Sequence, residues 1–169
     1  MELSEDRKPD SGPHRCFHVF VYGTLKRGQC REASWPKRPH RVQPAWIRGT
    51  LWTRPDYPAL RDGNDRVFGE CWTFDSAYEN AVLQTLDAIE GTTDDDQPNL
   101  YDRVTCQTHL IGIVLAEKRS YSDEVSSSGL ASSSVSAWTY RYAVDPQLDG
   151  FVRMTADSSG AIMWDQIHH

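Results

Sequence analysis

The sequence predicts a small β-rich α+β domain with one convincing helix. Three observations carry that expectation. Five short apolar runs, rich in β-branched and aromatic residues, are separated by Gly, Pro and polar clusters. Only one stretch repeats apolar residues at helical spacing. The length of 169 residues, with 38% hydrophobic and 25% charged residues, suits one globular domain with a sizeable core.

Taken in order, residues 1–15 are charged, carry Pro and Gly and lack periodicity, so a flexible N-terminal tail is expected before a single domain at 16–169. The first strand is expected at 17–22. It is apolar on both faces except at His18, which suits a closed or covered sheet. It stops in the turn Tyr22-Gly23-Thr24-Leu25, and a strand ending this way offers backbone N–H groups to an anion or a developing negative charge. Residues 27–44 are basic and hold Pro36, Pro39 and Pro44, so an irregular excursion is expected there. Strands follow at 45–52 and 67–74.

The helix comes next. Ser76 with Glu79 three residues on has the form of a capping box, and Tyr78, Val82, Leu86 and Ile89 form an apolar stripe. Gly91 supplies the stop. An acidic, Pro-containing loop then leads to strands expected at 103–110 and 137–144. Between those strands, a serine-rich stretch at about 118–136, with nine serines from Ser120 to Ser136, is expected to be a surface loop inserted in the sheet.

Composition narrows the function. A net charge of −6 argues against a phosphate-backbone binder, so no nucleic-acid partner is expected. Cys16, Cys30, Cys71 and Cys106 are widely spaced, which points neither to structural zinc nor to a disulfide framework. No apolar run reaches membrane-spanning length, and the N-terminus is unlike a secretory signal. A cytoplasmic setting without membrane attachment is therefore expected. Six Trp and seven Tyr are material for the walls of a small-molecule pocket.

Familiar catalytic patterns fail one by one. Gly23-Thr24-Leu25-Lys26-Arg27-Gly28 has the glycine spacing of a phosphate loop, but Gln29 and Cys30 stand where Lys and Ser or Thr are needed. No Gly-x-Ser-x-Gly elbow is present. The histidines are scattered, and Asp94, Asp95 and Asp96 read as a solvated acidic loop rather than a cation site. Glu90 stands out. On a wheel of ~100° per residue it lies at the margin of the apolar stripe, bordering the interior, whereas Asp87 is expected to face water. The last helical turn also disfavours a carboxylate and pushes its pKa upward, which suits a group that accepts and returns a proton.

Four motifs in order carry a family likeness: Phe20-Val21-Tyr22-Gly23-Thr24-Leu25, Leu86-Asp87-Ala88-Ile89-Glu90-Gly91, Tyr101-Asp102-Arg103 and Ala137-Trp138-Thr139-Tyr140. Gly49-Thr50-Leu51-Trp52, Tyr57-Pro58-Ala59 and Val67-Phe68-Gly69-Glu70 agree with it. Over residues 17–142 the chain resembles the γ-glutamylcyclotransferase / AIG2-like family, on its γ-glutamylamine cyclotransferase-like branch. The resemblance implies a small mixed β-barrel flanked by short helices, with the turn and the helix end facing one cavity. It implies an enzyme of the amine- or acyl-transfer lyase type that converts a γ-glutamyl amine or peptide to 5-oxoproline and free amine. Glu90 matches the catalytic acid/base. Tyr22, Gly23, Thr24 and Leu25 match the substrate-binding turn, and Tyr101 and Tyr140 would line the cavity. The substrate's own α-amino group is the nucleophile, so no metal or organic cofactor is needed.

Other readings stay open at this point. A catalytically silent small-molecule binding or regulatory protein could share the fold, as could an enzyme that forms or cleaves a different amide. Tyr22 can serve as the last core residue of its strand and Thr24 as a turn cap, while Tyr101 and Trp138 can be plain barrel packing. Many family members continue the turn with Gly-Gln-x-Asn-His, where this chain has Gly28-Gln29-Cys30-Arg31-Glu32. That departure leaves one pocket wall, and with it the choice of substrate, open.

Overall fold

A computed structural model describes residues 15–93, 95–112 and 133–165. The chain runs β1 (Cys16–Val21), β2 (Arg41–Thr53), β3 (Pro58–Asp75), α1 (Glu79–Glu90), β4 (Tyr101–Leu110), β5 (Ser134–Tyr142), β6 (Val152–Arg153) and β7 (Ala161–Met163). Neighbouring strands follow the order β2-β4-β5-β1-β3, and β3 pairs back onto β2, which closes a five-stranded barrel. The barrel is mixed: β1 runs parallel to β5, and the other four seams are antiparallel. The short strands β6 and β7 extend β2 and β3. The expected mixed barrel is the observed fold.

The doubly apolar first strand is explained by two cores. Phe17, Val19 and Val21 join the cluster packed under Val82, Leu83 and Leu86 of α1. Phe20, on the alternate face, joins Ile47, Leu51, Val67 and Cys71. Val19, Phe74, Val82 and Leu86 are completely buried. Each such side chain contributes roughly 1.5–3 kcal/mol over the exposed state.

The helix departs from its expected start. A 3-10 turn, Ser76–Tyr78, precedes α1, and Asp75 caps it by accepting a hydrogen bond from the Ala77 N–H at 2.9 Å. The capping box does not form, because Asp75 lies one residue earlier and takes the role. Glu79 instead accepts from Trp138 Nε1 at 3.0 Å. Tyr78 consequently falls outside the apolar stripe and is 43% exposed, while Leu83 is buried in its place. At the other end Gly91 stops the helix in the left-handed region, φ 65°, with its N–H on the Asp87 carbonyl.

Strand limits differ in informative ways. Pro44 lies in β2 and not in the irregular excursion: its missing N–H is tolerated because pairing with β4 begins at Ala45, and its carbonyl accepts from Ile111. β3 begins nine residues before the expected 67 and crosses a register shift opposite Gly49 and Thr50. β5 starts at Ser134, inside the expected serine-rich loop, and ends at Tyr142. Residues 118–132 of that loop, Asp94 and residues 1–14 lie outside the described residues. Among the described residues, no helix is long and apolar enough to cross a membrane.

Candidate active site

β1 delivers the turn. Past Val21 the chain leaves the sheet and folds back on itself, with Lys26 N–H on the Gly23 carbonyl at 3.1 Å and Arg31 N–H on the Thr24 carbonyl at 2.9 Å. Trp35 Nε1 donates to the Leu25 carbonyl at 3.0 Å. The buried Lys26 ammonium is held by the Trp164 carbonyl and by Asp165, 3.0 Å away, which ties the turn to the end of the described chain. The carbonyls of Gly23, Thr24 and Leu25 are therefore occupied. The N–H groups of Gly23, Thr24 and Leu25 meet no acceptor among the described residues. Gly23 is required sterically, since a Cβ there would lie 2.7 Å from Pro58 Cγ.

The last turn of α1 delivers Glu90. It borders a pocket that is also lined by Tyr22, Gly23, Thr24, Leu25, Tyr101 and Tyr140. Every residue singled out in the sequence as catalytic or substrate-binding thus borders this one cavity. Burial pushes the Glu90 carboxyl up to about 7, with the nearby Arg31 guanidinium pulling in the opposite direction. The cause is desolvation in the pocket. At neutral pH the group is divided between its two protonation states, as an acid/base requires.

The tyrosines form a fixed frame. Tyr22 donates to the Tyr140 carbonyl at 2.7 Å, and Tyr101 donates to the Pro58 carbonyl at 2.6 Å. Tyr140 in turn donates to Asp87 at 2.7 Å. Burial holds all three phenols above their usual range, helped by Asp87 at Tyr140 and by the nearby Glu90 at Tyr22 and Tyr101, so they remain neutral donors. Their hydroxyls are already committed to the protein.

Asp87 corrects the helical-wheel reading. It does not face water but accepts from Tyr140 on one oxygen and pairs with Arg103 at 2.6 Å on the other. The error lay in where the stripe was centred. Counting Tyr78 and omitting Leu83 rotated the apolar face away from Asp87, which stands only ~60° from Glu90. The frame therefore grips the helix one turn before the carboxylate it positions.

Sequence reasoning missed Arg31, Tyr57, Ile89 and Leu100 as pocket residues. Ile89 was legible only as core and Tyr57 only as part of a motif. Arg31 lies in the stretch that departs from the family pattern, which was its one signal. Leu100 ends the 92–100 loop, whose closeness in sequence to the motifs was its one signal.

Comparison with known proteins bears on the same segment. The family model for gamma-glutamyl cyclotransferase, AIG2-like, matches residues 19–158. No curated protein matches the chain. Among solved structures, a mouse AIG2-like protein is 21% identical with a TM-score of 0.56, covering 92% of this chain and 100% of that one. An Arabidopsis thaliana protein is 20% identical with a TM-score of 0.50, over 82% of this chain and 77% of its own. A Bacillus subtilis protein is 16% identical with a TM-score of 0.51, over 87% and 39%. At these identities the structures attest the fold. The family match takes in the turn, the helix end and the four tyrosines of the pocket, and the chain belongs to the gamma-glutamyl cyclotransferase, AIG2-like family.

Proposed function

We propose that this protein is a cyclotransferase that splits a γ-glutamyl amine or peptide into 5-oxoproline and the free amine. One observation carries the reading: a buried carboxyl poised near pH 7 shares its pocket with three turn residues whose N–H groups have no acceptor among the described residues. The carboxyl meets the need for proton transfer, and the N–H groups meet the need for negative-charge stabilisation.

The reaction follows from these parts. The γ-glutamyl α-ammonium gives a proton to ionised Glu90, and the freed nitrogen attacks the γ-carbonyl carbon of the same molecule. Attack within one molecule replaces an encounter by a ring closure and has a high effective molarity. The new C–N bond creates a tetrahedral oxyanion whose ring nitrogen still carries two protons. The bond to the departing nitrogen breaks as Glu90 returns its proton to that nitrogen, and the ring nitrogen then gives its second proton to the re-ionised Glu90, which passes it to the released amine. The N–H groups of Gly23, Thr24 and Leu25 stabilise either the oxyanion or the substrate α-carboxylate. The tyrosine frame shapes the walls and keeps Glu90 in place. No step calls for a metal or organic cofactor.

The test is incubation of the full chain with a panel of γ-glutamyl amines and γ-glutamyl dipeptides, with 5-oxoproline followed by mass spectrometry. Release of 5-oxoproline with stoichiometric amine is expected. Tight binding with no product would replace this reading by that of a catalytically silent binding protein.

A further inference from the structure

Arg31 is the one cation lining the pocket among the described residues, and nothing described so far uses it. Its backbone is fixed: the N–H donates to the Thr24 carbonyl at 2.9 Å, and its carbonyl accepts from Ser34 at 3.0 Å. Its guanidinium has neither an ion pair nor a hydrogen bond among the described residues. Five other arginines spend their charge on acids: Arg27 on Glu70, Arg54 on Asp56, Arg103 on Asp87, Arg141 on Asp62 and Arg153 on Asp65. Arg31 is close enough to Glu90 to lower its pKa, yet it does not bond to it. Five donors in a planar fork, half-buried at a cavity wall, fit a carboxylate.

Two carboxylates are available on a γ-glutamyl amino acid, and placement favours one. The turn residues Gly23, Thr24 and Leu25 are buried and already offer free N–H groups to the glutamyl half. Arg31 lies further along the chain and is less buried, as is exposed Leu100 on the same pocket. The glutamyl half must be enclosed with Glu90 for ring closure, so the half that leaves takes the more open end. Resting on the proposed function, we infer that Arg31 is a specificity residue that binds a carboxylate on the leaving amine, favouring γ-glutamyl amino acids and peptides over γ-glutamyl amines that carry no acid group.

The experiment compares γ-glutamyl-alanine with γ-glutamyl-ethylamine on the wild-type chain and on Arg31→Gln and Arg31→Lys. A charge-assisted bidentate contact corresponds to a preference of about tenfold or more. The wild type is expected to show that preference for γ-glutamyl-alanine, chiefly in KM. Arg31→Gln is expected to lose it and Arg31→Lys to keep part of it. Calorimetric Kd values for the same two compounds give the same comparison even if no 5-oxoproline forms, which separates failure of this inference from failure of the proposed reaction. Equal wild-type affinity for both compounds, or an equal loss on both in Arg31→Gln, would overturn the assignment.

Discussion

Replacing Glu90 by Gln keeps the shape of the side chain and removes its titratable proton, so it separates chemistry from packing. Two magnitudes follow from the structure. General acid/base groups contribute about 10²–10⁴-fold in rate, and kcat of Glu90→Gln should fall by that order. Affinity for 5-oxoproline should change little. The second magnitude concerns stability. The carboxyl rises from 4.5 to about 7 on folding because burial penalises its charged form. A group whose folded pKa is raised contributes fully below its unfolded value and loses that contribution as pH climbs through the folded one. The wild type should therefore lose stability relative to Glu90→Gln between about pH 4.5 and pH 7, and hold a constant deficit above. The full shift corresponds to about 3 kcal/mol, and the open mouth of the pocket reduces this to roughly 1–3 kcal/mol. Urea unfolding at pH 5 and pH 8.5, with turnover at both, reads all of this. Turnover within tenfold of wild type would refute the acid/base role. The same stability difference at both pH values would refute the burial argument.

The frame and the turn give further expectations. Tyr22→Phe leaves the buried Tyr140 carbonyl without its donor and should cost about 1–2 kcal/mol in chemical denaturation. Gly23→Ala places a Cβ against the Pro58 ring, so about 1–3 kcal/mol of strain is expected. Weaker 5-oxoproline binding should accompany it, and unchanged binding would show that the close approach does not shape the site. Gly91→Ala puts a side chain at φ 65°, and a loss of about 1 kcal/mol is expected in the same assay.

Much of the site was readable because its two halves are local patterns. A strand ending in a glycine turn and a carboxylate before a helix-ending glycine each span a few residues, and both border the observed pocket. What could not be read depended on distant partners. Asp87 is indistinguishable from a surface acid until Tyr140 and Arg103 arrive from other strands. The first half of β3 was hidden because Arg61, Asp62, Gly63 and Asn64 interrupt the apolar pattern with polar residues and a glycine. In the barrel their polar groups are engaged across the register shift, with Thr50 donating to the Asp62 carbonyl and Arg48 to the Asn64 carbonyl. β6 and β7 are two and three residues long, below the length at which alternation can be recognised.

Tyr140 receives the Tyr22 hydroxyl on its backbone and grips α1 through its own hydroxyl. It belongs to β5, the strand that sits between β4 and β1. The turn and the helix end are both made early in the chain, but their spacing is measured by a residue more than a hundred positions after the turn. During refolding, then, a chain can possess its turn, its helix and most of its sheet and still have no site. Ligand binding would appear only with the step that seats β5, so a ligand of the pocket would also be a probe of barrel closure.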